Sequence, residues 1–236
     1  MRKYKRLLLK LSGEHLGGKS GKGFDFDAFE RLAGQICALH DLGVEIGIVL
    51  GGGNFFRGAN SLPIKMDRVS ADRIGMLATS MNSVCLKEAL KNCGKRAAIL
   101  TGMEIPGIGQ RFSKEEAIKK LRKGHILIFS GGTGNPFFST DTAAVLRGLE
   151  IEADLVIKGT KVDGVYDRDP VSFPSAKKFD RLNYSEILER NLKVMDAAAI
   201  ALCRENKMSL HVLNISKKND LLDFIEGKKI GTFIGP

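Results

Sequence analysis

Short apolar runs alternate along this chain with longer segments in which apolar residues recur every three or four positions. Residues 7–12 predict a first strand, and residues 26–42 a helix with Phe29, Leu32, Ala33, Ile36 and Leu39 on its apolar face. Residues 44–50 (VEIGIVL) predict a second strand that stops at Gly51-Gly52-Gly53, and residues 70–91 are largely helical. The alternation continues with strands at 97–101, 126–130, 155–158, 209–213 and 230–234. Helices are expected at 140–151, 184–191, 196–205 and 220–226. Ser113-Lys114-Glu115-Glu116 reads as a capping box, so another helix runs to about Lys123. Alternating strands and helices imply an α/β fold, with a mainly parallel sheet covered by helices on both faces. No repeat, low-complexity tract or linker divides residues 1–236, so one domain is expected, with a change of lobe near Ile151.

Composition narrows the class without changing this picture. Hydrophobic residues make up 43% and charged residues 27%, which excludes wholesale disorder and a collagen-like chain. Cys37, Cys85, Cys93 and Cys203 are scattered without metal spacing and read as small buried apolar groups. The N-terminal apolar run is too short for a signal peptide, and no stretch of about 18 apolar residues follows. A reduced, cytoplasmic protein with no membrane span is expected. The 37 Lys and Arg against 27 Asp and Glu leave 37 − 27 = +10, which points to anionic partners. The basic residues are spread over many helices, and with no Trp and 3 Tyr there is little to stack on bases, which argues against nucleic acid.

The candidate chemistry lies at glycine turns. In open α/β sheets ligands sit beyond the carboxyl ends of the strands. Four predicted strand ends carry glycine: Ser12-Gly13, Gly51-Gly52-Gly53, Gly131-Gly132-Thr133-Gly134 and Lys158-Gly159. Backbone amides approach phosphate oxygens closely at such turns. The segment GEHLGGKS, residues 13–20, matches the P-loop pattern, but Gly21-Lys22-Gly23 follows where that motif needs a helix to begin. No apolar strand ends in an Asp to hold magnesium, and no G-x-G-x-x-G follows a strand, so neither a P-loop nor a dinucleotide site is expected.

Lys10 lies inside the apolar strand LLLKLSG, and Lys158 ends the strand LVIK. A lysine in such a strand is unfavourable unless it meets an anion. Each could instead snorkel to water from an edge strand. Asp141, at a helix start after GGTGNPFFST, is either a dipole-favoured carboxylate or the group that orients both lysines. Two lysines, one carboxylate and glycine amides are the parts phosphoryl transfer requires. Arg57 is a phosphate clamp or a solvated arginine, Asp72 a receptor for sugar hydroxyls or a surface acid, and Tyr166 a base-stacking or a core-covering ring.

KLSGE at 10–14, GGGNFFRG at 51–58, GTGNPFFSTDTAAVLRGLEIEAD at 132–154 and KGTKVDGVYDRDP at 158–170 together resemble the amino-acid-kinase superfamily, specifically its UMP-phosphorylating branch. The likeness runs over nearly the whole chain, and the GTGNPFF run is its most specific part. It implies a three-layer αβα sandwich in one domain, with a phosphoryl-acceptor part at roughly 1–150 and an ATP-binding part at roughly 151–236. It implies transfer of the γ-phosphoryl group of ATP to UMP, with Mg²⁺, in pyrimidine nucleotide biosynthesis and without a covalent intermediate.

Carried over residue by residue, the resemblance assigns Lys10, Lys158 and Asp141 to catalysis. It assigns Lys10, Leu11, Ser12, Gly13, Gly53, Arg57, Thr160, Tyr166 and Asp169 to ATP. UMP is assigned Gly52, Asp72, Thr133, Gly134, Asn135, Pro136, Phe137, Phe138, Ser139 and Thr140, and no side chain is assigned to hold the metal directly. The loop Gly18, Lys19, Ser20, Gly21, Lys22 and Gly23 corresponds to the segment linked to GTP activation. UTP inhibition and a homohexamer are also implied. The alternatives are a superfamily kinase for a carboxylate, carbamate or isoprenoid phosphate, which would lack the NPFF loop, and a basic nucleotide- or nucleic-acid-binding regulator.

Overall fold

The structure, a computed structural model, describes residues 4–56, 66–216 and 219–236. In chain order the elements are β1 (Arg6–Leu11), α1 (Gly13–Leu16), α2 (Phe26–Asp41), β2 (Glu45–Leu50), α3 (Arg68–Asn92), β3 (Ala97–Thr101) and β4 (Gln110–Arg111). There follow α4 (Lys114–Arg122), β5 (Ile126–Ser130), α5 (Thr140–Glu150), β6 (Leu155–Thr160), β7 (Val165–Tyr166), β8 (Lys178–Phe179) and β9 (Arg181–Leu182). The last five are α6 (Tyr184–Glu189), α7 (Ala197–Glu205), β10 (Leu210–Asn214), α8 (Asp220–Ile225) and β11 (Thr232–Ile234).

Among the described residues one sheet has the order β4-β3-β5-β2-β1-β6-β10-β11-β9, and only its β10–β11 pair is antiparallel. A separate antiparallel pair joins β7 to β8. Because side chains alternate across a strand, β1 serves two cores. Leu7, Leu9 and Leu11 pack with α2, α3 and α8 through Phe29, Leu86 and Phe224. Leu8 packs on the other face with α4, α5, α6 and α7 through Leu121, Ala144, Ile187 and Cys203. The expected αβα layering with a mainly parallel sheet is therefore present.

The differences from the predicted elements are local and have physical causes. Ser12 is not in β1; it caps α1, its Oγ accepting from the Glu14 amide at 3.4 Å. Strand β6 runs two residues past Lys158, because Gly159 and Thr160 pair with Leu213 and Asn214 of β10. Of the capping box at 113–116 only half forms: Ser113 accepts from the Glu116 amide at 3.2 Å, while the Glu116 carboxylate lies 3.0 Å from Lys120 Nζ. The complete box is at Asn183 and Glu186. Strands β4, β7, β8 and β9 are two residues long, too short to show a period. Cys37 and Cys203 are buried as expected and Cys85 is half-buried, but Cys93 is exposed at the end of α3.

Candidate active site

The sheet order brings the glycine-bearing strand ends together. Strands β5, β2, β1 and β6 are consecutive and mutually parallel, so all four carboxyl ends lie along one edge. Glycine is required there by close backbone approach. A Cβ on Gly13 would lie 2.7 Å from the Gly51 carbonyl oxygen, and one on Gly134 would lie 2.2 Å from that of Gly102. Gly159 differs, since its Cβ would press on Leu11 and Ile215 side chains; it serves packing within the sheet. The β2 end is fixed by a buried amide pair. Asn82 Nδ2 donates to the Gly51 carbonyl at 2.8 Å and Asn54 Nδ2 to the Gly23 carbonyl at 2.8 Å, while the two amides bond each other.

Lys10 and Lys158 are register partners on β1 and β6, so both side chains leave the same face of the sheet. That face is covered by α5, whose first turn carries Asp141. Lys10 Nζ lies 2.7 Å from Asp141 Oδ1 and Lys158 Nζ 2.8 Å from Oδ2. Lys158 also donates to the Val194 carbonyl. The two ammoniums and one carboxylate carry +2 − 1 = +1, nearly enclosed by protein. Burial alone would raise the Asp141 carboxyl, but the two ammoniums outweigh it and hold its pKa below the ordinary value. Burial lowers the Lys158 ammonium, opposed by Asp141 and reinforced by Lys10. An ammonium has three N–H donors, so each lysine keeps at least one for an anion at the strand ends.

These directions set the expected pH dependence. Asp141, with its pKa depressed, stays ionised through the neutral range and protonates only below the ordinary carboxylate range. Lys158 loses its proton below the ordinary lysine value of 10.5. Any reaction that relies on the Lys158 charge should therefore slow on the alkaline side as Lys158 deprotonates. An initial-rate profile from pH 6 to 10.5 with saturating substrates checks this, and activity constant to pH 10.5 would contradict it.

The start of α5 is held by a residue that sequence reasoning missed. Ser139 caps the helix, accepting from the Asp141 and Thr142 amides at 2.9 and 3.3 Å, and its hydroxyl donates to Asp196. Asp196 also accepts from Thr142 Oγ1 at 2.9 Å and, as cap of α7, from the Ala199 amide at 2.8 Å. With its donor and both acceptor positions used, the Ser139 hydroxyl is a scaffold. The only sequence signal was an Asp before an Ala run, which marks a helix start and no more. A second missed set, Thr79 and Ser80 of α3, ties that helix to the end of β5. Thr79 Oγ1 accepts from the Gly131 amide at 2.8 Å, and Ser130 Oγ donates to Ser80 Oγ at 2.7 Å.

The remaining predicted residues fall into three groups. Asp72, near the start of α3, reaches the 133–140 loop, where its Oδ2 accepts from the Phe137 amide at 2.7 Å. In that loop Thr133 and Asn135 bond each other, Pro136 and Thr140 are half-buried, and Phe137 and Phe138 are exposed. Gly52 is pressed against α3, where a Cβ would lie 2.7 Å from that of Ala78, and Gly53 lies beside Glu14. On the other side Leu11 is core, and Thr160 Oγ1 donates to the Val162 carbonyl at 2.6 Å. The Tyr166 hydroxyl donates to Asp163, which pushes its pKa up to about 12. Asp169 accepts from the Val171 amide and the Ser172 hydroxyl, so Tyr166 and Asp169 bond within their own loop and not to the lysine cluster. Arg57 lies outside the described residues.

The segment matching the P-loop pattern forms the short α1 and a 3-10 turn over Gly18–Ser20, closed by Gly21 at φ +65°. No long helix starts at Lys19, which is exposed. Lys19→Ala is therefore expected to retain kcat within about threefold, and a loss beyond a hundredfold in steady-state assays would show that Lys19 takes part in catalysis. Residues 17–20 and Lys22 instead line a cleft of about 1360 Å³ with α2 and the start of α8.

The model of the Amino acid kinase family matches residues 5–214. The chain belongs to this family. It is 48% identical over 231 residues to a uridylate kinase of Vibrio cholerae, covering 98% of this chain and 95% of the relative. It is 48% identical over 234 residues to a uridylate kinase of Bacteroides thetaiotaomicron, covering 99% of each. Among solved structures, the UMP kinase of Bacillus anthracis superposes with a TM-score of 0.95 at 37% identity, covering 99% of this chain and 97% of that one. The UMP kinase of Ureaplasma parvum superposes with a TM-score of 0.93 at 36% identity over 100% of both chains. The fold is that of amino acid kinases and not of P-loop enzymes.

Proposed function

We propose that this protein transfers the γ-phosphoryl group of ATP to UMP, giving ADP and UDP. The observation that carries this reading is the Lys10–Asp141–Lys158 cluster at the shared edge of four glycine-bearing strands, in a chain 48% identical to uridylate kinases over nearly its whole length. An oxygen of the UMP phosphate attacks the γ-phosphorus, and the bond from that phosphorus to the ADP oxygen breaks. Charge spreads over the three equatorial oxygens of the passing group. Lys10 and Lys158 donate hydrogen bonds to that charge, and Asp141 holds them in place without contacting the phosphoryl group. Because the donors are positioned in advance, little reorganisation is needed when charge develops.

In this reading residues up to about 150 form the acceptor side, with Gly52, Asp72 and the 133–140 loop around UMP. Residues from 151 onward, with Thr160, Tyr166 and Asp169, face ATP together with the 10–13 and Gly53 backbone. The Ser139 hydroxyl is already committed, so that residue meets UMP through its backbone. Mg²⁺ arrives with ATP as part of the substrate and offsets phosphate charge. Asp141 is already taken up by two ammoniums, so this reading gives it no part in holding the metal.

GTP activation through the loop at 18–23, UTP inhibition and assembly as a homohexamer belong to the same proposal, as does a place in the cytoplasm; no helix among the described residues is long and apolar enough to cross a membrane. Phosphorus NMR of a reaction containing ATP, Mg²⁺ and UMP tests the transfer. Paired growth of the ADP and UDP β-phosphate signals is expected, whereas inorganic phosphate as the product, or no turnover, would overturn the proposal.

A further inference from the structure

Arg68 is the first residue of α3, where the positive end of the helix dipole disfavours a cation. Asp67 caps the helix, with Oδ1 accepting from the Ser70 amide at 3.0 Å, so Arg68 is not needed to start it. Its Nε instead lies 2.9 Å from Asp72 Oδ1 and 2.8 Å from Oδ2, one turn along the helix. Exposed pairs at this spacing contribute little to stability. This pair has a third member. The Phe137 amide donates to Asp72 Oδ2 at 2.7 Å, and the Arg68 guanidinium carbon stands 5.7 Å from the Phe137 ring centre.

Phe137 adopts φ +72°, a left-handed conformation unfavourable for a residue with a side chain, and its ring is two-thirds exposed. Such strain persists only where surrounding contacts enforce it, and it gathers at ligand sites. Arg68, Asp72 and Phe137 therefore form a clamp between the start of α3 and the 133–140 loop. A carboxylate offers about four acceptor positions. The single Nε–H of Arg68 is shared between the two oxygens and the Phe137 amide takes a further position on Oδ2, so Oδ1 is the less committed oxygen and is left for a ligand.

We propose that Arg68 is a positioning residue for the acceptor nucleotide: it holds the Asp72 carboxylate so that Oδ2 is committed to the loop and Oδ1 faces an acceptor hydroxyl. This rests on the UMP reading above. Arg68 is mostly exposed, so its replacement leaves the fold intact, and Arg68→Met keeps most of the apolar stem. Lysine has no planar guanidinium to fix its donor between the two oxygens while facing the Phe137 ring, so a flexible ammonium does not replace it.

Steady-state kinetics and calorimetric UMP titration are compared for the native chain, Arg68→Met and Arg68→Lys. Arg68→Met is expected to raise both KM and Kd for UMP about tenfold, with kcat and the KM for ATP within twofold. Arg68→Lys should recover less than half of that loss on a logarithmic scale. An Arg68→Met Kd within twofold of native, a parallel rise in the ATP KM, or full recovery by Arg68→Lys would overturn the inference. A native chain that neither binds nor phosphorylates UMP would instead remove the functional reading on which it stands, so the two failures are distinct.

Discussion

Lys158→Met is expected to lower kcat for UDP formation by roughly 10²–10³-fold, as removal of a positioned donor to developing charge does elsewhere. Lys10→Met should act similarly. Both should leave the protein about as stable as the native chain, because the charges of the cluster rebalance. The native cluster holds two ammoniums on one carboxylate at 2.7 and 2.8 Å. Removing either lysine leaves one matched pair. For Lys158→Met the main loss is the bond to the Val194 carbonyl, about 1.5–3 kcal/mol for a charged donor, offset in part by relief of the repulsion between the two ammoniums. Single-turnover rates and urea unfolding of the same preparations separate the two effects. Loss of stability in step with loss of rate would mean that the lysines are structural.

Asp141→Asn should differ from the lysine variants and lose stability as well as rate. It leaves two buried ammoniums facing each other with no anion between them, a situation that costs about 3–5 kcal/mol when one partner of a buried pair is removed. Turnover is expected to fall by at least a hundredfold, since the lysines lose the group that orients both. The sign of the pH dependence is specific. Burial and the Lys10 charge already lower the Lys158 pKa, and Asp141 is the main group opposing them. Without it the folded-state pKa drops further while the unfolded value stays near 10.4. Between those two values the unfolded chain binds more protons, so stability rises with pH there. The Tm deficit of Asp141→Asn against the native chain should narrow from pH 7 to pH 9.5; a constant or widening deficit would contradict buried like-charge repulsion.

Much of this site was legible because it breaks local rules. Lys10 interrupts an apolar strand and Lys158 nearly ends one, and each anomaly pointed to an anion before any geometry was known. Glycine at four strand ends marked the edge of the sheet, though Gly159 makes room for the packed Leu11 and Ile215 side chains. The supporting residues could not be read in the same way. Asp196 caps its own helix, as its position suggests, but its bonds to Ser139 and Thr142 span more than fifty residues and depend on how α5 and α7 meet. Asn54, Asn82 and Thr79 look like ordinary polar residues in a turn and on a helix, and only the crossing of α3 over β2 and β5 gives them partners. The two-residue strands were missed because a period of two cannot show in two positions.

The most direct test is an acceptor panel in one coupled ADP-release assay, with UMP, CMP, GMP, AMP and small carboxylates at equal concentration and saturating Mg·ATP. UMP is expected to give a kcat/KM at least tenfold above every other acceptor, with ADP and UDP formed one to one. Equal or greater turnover with another acceptor, or ADP release that does not depend on UMP, would contradict the assignment.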